Sequence, residues 1–154
     1  MKYTFILIAI FSILFSNQGY LTKDNLKSTI KILVNNINKM IEQSKDKTGY
    51  LQTDEVSYLG RAVFVDYKQP TMVLKMFIDV DKFSKLSGLT KQQTFDYLGS
   101  KSNIVETTKQ NANLACSTPS QRGLLEYGAL IKHYYYSFDK TSLLETQISI
   151  KNCK

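Results

Sequence analysis

The chain has 154 residues, a formal net charge of +7, two cysteines and a single histidine. That length holds one domain. The basic residues are scattered and only Arg61 and Arg122 are arginines; nucleic-acid readers rely on clustered charge and Arg forks, so a solvated lysine-rich surface is expected and no nucleic-acid partner.

Lys2 precedes an apolar run from Tyr3 to Phe15, closed by the polar Ser16-Asn17-Gln18-Gly19. A positive start with a short apolar core is the form of a secretory signal peptide, and the run is too short to span a bilayer. Residues 1–19 therefore read as a signal peptide and 20–154 as a single domain. No cysteine follows the run, which argues against a lipoprotein. Membrane association is expected only if this segment stays uncleaved.

Leu26, Ile30, Leu33, Val34, Ile37 and Ile41 recur at three- and four-residue intervals, with lysines and asparagines between them. This spacing predicts an amphipathic helix that docks on a sheet, capped by Thr22 or Asp24 and ended in the polar Ser44–Gly49. The run from Val56 to Tyr67 reads as a strand, with Val63, Val65 and Tyr67 on one face and Tyr58, Ala62 and Phe64 on the other. After Pro70, Met72, Leu74, Met76, Ile78 and Val80 alternate with Val73, Lys75, Phe77 and Asp79, which predicts a second strand and an antiparallel hairpin.

The stretch from Asp81 to Ala115 is more polar and reads as helical. Thr90-Lys91-Gln92-Gln93 has capping-box spacing, Phe95 and Leu98 supply an apolar side, and Gly99 is a stop. A further stretch follows through Ile104, Val105, Thr108, Ala112 and Ala115; whether residues 90–115 form one helix or two is left open by the pattern. Thr118-Pro119-Ser120-Gln121 repeats the capping spacing with Pro at the first helical position, and Gly128 suits a left-handed helix end. Ala129 to Phe138 is a strand-forming run, with Leu130, Tyr134, Tyr136 and Phe138 on the face expected to be core. His133 and Tyr135 then fall on the outer face. A polar turn, Asp139 to Ser142, leads to the alternating Leu144, Thr146, Ile148 and Ile150, a second hairpin.

Cys116 and Cys153 are the only cysteines, and in an exported chain they are most simply one disulfide, worth about 4 kcal/mol for a loop of this length. The expected fold is α+β: a four-stranded antiparallel sheet of two hairpins, helices packed on one face, and one C-terminal disulfide.

No catalytic signature accompanies these elements. His133 has no second histidine or cysteine pair at metal spacing, and no G-x-S-x-G is present. Asp79 and Asp81 lack the rest of a calcium loop and read as solubilising charges. No phosphate-binding glycine pattern occurs, so no catalytic residue, metal or cofactor is expected. The surplus is tyrosine: Tyr58, Tyr67 and Tyr134 to Tyr136, a residue favoured in strands and at interfaces.

The pattern Thr53-Asp54-Glu55-Val56, then Cys116-x-x-Pro119-x-x-Arg122-x-Leu124-Leu125-x-x-Gly128, Tyr134-x-Tyr136 and Cys153 resembles a group of small exported disulfide-bonded proteins of Gram-negative bacteria with no assigned function. The resemblance covers most of the chain after the first helix. It implies a periplasmic disulfide-bonded α+β domain and no activity. Such proteins tend to carry Gly in the last hairpin turn, which Asp139-Lys140-Thr141-Ser142 lacks. Arg122 is expected to reach Asp54 or Glu55.

These readings point to a non-enzymatic periplasmic or secreted monomer that binds another envelope or secreted protein, as an inhibitor, immunity or envelope-assembly factor, around His133, Tyr135 and Arg122. The alternative is a secreted effector or small hydrolase whose site is assembled from residues that sequence does not connect.

Overall fold

A computed structural model describes residues 21–66 and 68–153. The signal peptide expected at 1–19 lies outside the described residues, as does Tyr67. Helix α1 (Leu26–Ser44) buries Leu26, Ile30, Leu33, Val34, Ile37 and Ile41, the stripe predicted by spacing. It starts after Asn25, whose side-chain oxygen accepts from the Thr22 N–H at 2.7 Å instead of capping the helix.

The sheet has five strands in the order β1 (Leu51–Gln52), β2 (Ser57–Asp66), β3 (Pro70–Ile78), β4 (Leu130–Ser137) and β5 (Ser142–Ile148). Both predicted hairpins form: β2 pairs antiparallel with β3, and β4 with β5. The sheet they join is mixed, which corrects the four-stranded antiparallel expectation. β3 and β4 run parallel, from Thr71 opposite Leu130 to Ile78 opposite Ser137. A parallel pair needs a long crossover, and all the helices between the hairpins supply it. The fifth strand, β1, pairs Leu51 with Leu59 and is too short to show an alternation.

The crossover consists of α2 (Val80–Ser87), α3 (Lys91–Leu98), α4 (Lys101–Ser117) and α5 (Pro119–Glu126). β3 stops one residue short of Asp79, whose carboxylate accepts from the Lys82 N–H and starts α2. The Thr90–Gln93 capping box forms in full. Residues 90–115 make two helices, because the chain turns at Gly99 and Ser100 caps α4. The second expected box does not form. α4 runs directly up to α5, so the Thr118 hydroxyl donates back to the Leu114 carbonyl at 2.8 Å, and Gln121 is buried. Pro119 at the first position and Gly128 at φ +95° behave as expected.

Cys116, at the end of α4, and Cys153, after a 3-10 turn at Ile150–Asn152, form the disulfide across a sequence separation of 37. The main core lies between one sheet face and α1, α4 and α5: Leu33, Ile37, Leu59, Met72, Leu74, Leu124, Leu125, Ile131 and Ile148 are all buried there. A smaller cluster, Ile78, Val80, Leu98, Leu143 and Leu144, seats α2 and α3 at one end.

The sheet carries a register shift between Leu59 and Arg61 on β2. Beside it, the Asn38 side chain of α1 accepts from the Ala62 N–H (2.8 Å) and donates to the Ala62 carbonyl (2.9 Å). A side-chain amide thus takes the place that a neighbouring strand would occupy once β1 has ended.

Candidate interaction surface

Strand β4 decides where the candidate residues lie. Its register places Ile131 beside Met72, His133 beside Leu74 and Tyr135 beside Met76, so this parity faces the helices. His133 and Tyr135 are therefore inside, and the expectation that they form an outer surface is corrected. Both parities of β4 are rich in strand-forming residues, and a one-residue choice flips every side chain. Ile131, which packs against α1 and α5 residues in the core, takes the inner side with it.

Inside, these groups form a closed polar cluster. His133 Nδ1 lies 3.2 Å from Thr146 Oγ1, and the Asn111 side-chain amide of α4 donates to both Thr146 Oγ1 and the Tyr135 hydroxyl at 3.0 Å. Burial holds the imidazole neutral, with its pKa lowered to about 4, and pushes the Tyr135 hydroxyl up to about 12. The cluster pins α4 to β4 and β5. Its imidazole is buried, and the partly buried Tyr135 hydroxyl is bonded to Asn111.

Arg122 lies elsewhere, on the exposed side of α5. Its Nε donates to Glu126 Oε1 at 2.9 Å, one helical turn on, and not to Asp54 or Glu55. Asp54 instead accepts from the N–H groups of Val56 and Ser57 and shapes the β1–β2 turn. The three candidate residues are thus not brought together. Among the described residues no group of three His, Cys, Asp or Glu side chains is placed to hold a metal. A shallow recess between α4 and the 3-10 turn is lined by Thr108, Lys109, Lys151 and Asn152, without a buried titratable group.

The other parity of the strands faces away from the helices, and there the aromatic surplus gathers. Tyr50 stacks on Phe77 at 4.2 Å between ring centroids, and Phe138 lies 5.8 Å from Tyr50 and 5.2 Å from Tyr58. Tyr136 adjoins Phe77 at 5.9 Å. Five rings, from the turn before β1, from β2, β3 and β4, and from the turn after β4, make one continuous cluster. Gly60, at the register shift, is what lets Phe77 lie flat: a Cβ there would stand 2.3 Å from that ring. Tyr58 is buried within the cluster, while Phe138 is 37% exposed. Burial, with the carboxylates of Asp46, Asp79 and Asp54 nearby, raises the pKa of the Tyr58 hydroxyl.

The expectation that Tyr134, Tyr136 and Phe138 face the core is thus corrected: they lie on the side of the sheet away from the helices. Phe77 sits in phase with Lys75 and Tyr136 with Lys132, which marks their side as the outer one; Tyr58, expected on one face with Ala62 and Phe64, is carried to the opposite face by the register shift between Leu59 and Arg61.

No protein-family model matches the sequence, and no curated protein matches it significantly. Two solved structures align with most of the chain. A candidate secreted protein of Pseudomonas aeruginosa aligns with a TM-score of 0.54 at 14% identity, over 88% of this chain and 100% of that one. The pilotin of the Vibrio vulnificus type 2 secretion system aligns with a TM-score of 0.49 at 10% identity, over 85% and 97%. At that identity the first likeness speaks for the arrangement of helices and strands alone, and the second is too distant to add to it.

Proposed function

We propose that this protein is an exported, non-enzymatic binding domain that takes a partner protein of the envelope or secreted pool on the helix-free face of its sheet. The observation that carries this reading is the five-ring cluster of Tyr50, Tyr58, Phe77, Tyr136 and Phe138, left without a covering layer while the opposite face buries every large helix stripe. Phe138 is 37% exposed, Tyr50, Phe77 and Tyr136 are partly exposed and Tyr58 is buried; aromatic rings of this kind are enriched at protein interfaces. The disulfide and the leader-like start fit an oxidising compartment, and an inhibitor, immunity or envelope-assembly role fits a domain that recognises rather than reacts. The alternative, an effector or small hydrolase, has no specific observation in its favour: the lone His133 is sealed in the core.

The test is site-specific photo-crosslinking in the producing cell, with a crosslinking phenylalanine analogue in place of Phe138 or, on the helical side, of Val105. One discrete adduct from position 138, lost when Phe77→Ala is added and absent from position 105, is the expected result. Adducts from position 105 alone would sink the proposal.

A further inference from the structure

The uncovered face is unevenly charged. Arg61 and Lys75 stand directly opposite each other on β2 and β3, both exposed. Neither has a carboxylate within ion-pair distance among the described residues. Like charges opposite one another on an antiparallel pair repel and cost stability. The neighbouring cation of the same face, Lys132, is relieved by Glu145 at 3.3 Å; the Arg61–Lys75 pair is not. Tyr134 continues this row onto β4.

The adjacent row of the same face is aromatic: Tyr58, Phe77 and Tyr136 stand side by side. Successive rows on one face are two residues apart, roughly 7 Å. An extended chain repeats its own side chains at the same interval. A carboxylate and an apolar side chain at alternate positions of such a chain would meet the two rows together.

From this juxtaposition we infer that the occupant of the face is an acidic segment of another protein, its carboxylates on Arg61 and Lys75 and its apolar side chains on the Phe77 cluster. The inference rests on the face being the docking surface and names the chemistry of what docks. A planar anionic surface fits less well. It would press its phosphates against Glu145 on β5 and against the carboxylates of Asp46, Asp54 and Asp79 around Tyr58, whereas a segment can set its carboxylates on the cation row and bring only apolar side chains to that end. Bidentate pairing of Arg61 with a carboxylate adds direction to the charge attraction.

The experiment is a fluorescence-anisotropy titration of the purified, disulfide-bonded protein with three probes: a labelled Glu–Tyr copolymer, the matching Lys–Tyr copolymer, and vesicles containing phosphatidylglycerol. The Glu–Tyr copolymer is expected to bind, more weakly as salt rises. Arg61→Glu with Lys75→Glu should raise its Kd about tenfold or more. Lys109→Glu with Lys151→Glu, an equal change of net charge on the helical side, should leave it near the wild-type value. Arg61→Gln with Lys75→Gln guards against misfolding: it removes a repulsion, so its melting temperature should match or exceed wild type while binding falls. Equal losses from both Glu pairs, preference for the Lys–Tyr copolymer, or preference for the vesicles would each overturn the acidic occupant. Adducts from position 138 that survive the Arg61 and Lys75 reversal would do so too while leaving the docking face intact; no adduct from position 138 in the unreversed chain would remove the face itself.

Discussion

At the scale of single residues, His133 has the clearest measurable consequence. Its folded-state pKa of about 4 lies below the ordinary 6.5, so the unfolded chain binds the extra proton first as pH falls. The stability associated with the neutral imidazole is whole above about pH 6.5 and is lost progressively down to about pH 4. The loss is of the order of 3 kcal/mol. Urea unfolding at pH 7 and pH 4 should show that much more acid sensitivity in the wild type than in His133→Gln, which keeps a group able to pair with Thr146. Equal acid sensitivity in the two proteins would contradict a buried neutral His133. The same residue shows why the candidate site was poorly legible. Side-chain types on β4 offered two parities of similar apolar weight, and the place of Ile131 in a core shared with residues as far along the chain as Leu33 and Met72 selects between them.

At the scale of elements, what was legible is what local chemistry determines. The α1 stripe, the Thr90–Gln93 box, the Gly99 break, Gly128 and the alternation of β3 all follow from periodicity or from caps within a few residues. What was illegible depends on partners far along the chain. The β1 strand is two residues long, and nothing local tells β3 to accept β4 in parallel. The last hairpin turn gives a prediction at this scale. Lys140 holds φ +68°, a left-handed conformation that costs an L residue with a Cβ about 1 kcal/mol. Lys140→Gly should therefore stabilise the protein by up to about 1 kcal/mol in denaturant unfolding. A destabilised variant would show that the Lys140 side chain contributes more than its backbone costs.

For the whole molecule, the disulfide ties the end of the crossover to the end of the second hairpin, enclosing α5, β4 and β5 in its loop. Removing it releases a segment that supplies two of five strands, including both strands of the polar cluster. Cys116→Ser with Cys153→Ser should lower unfolding stability by about 4 kcal/mol. The loss should be similar when the wild type is simply reduced before unfolding. A change below about 1 kcal/mol would mean that the reduced chain holds this loop together by other means.

The amide of Asn38 clasped to Ala62 bears on how such a molecule survives being crowded with its own kind. A strand border with unsatisfied N–H and C=O groups is a template for stacking identical chains into fibrils. Here that border is occupied first by two residues of β1 and then by a side chain from the helix behind. At Ala62 the backbone groups that would accept any extended chain alike are thereby already taken, and an identical copy finds no template there.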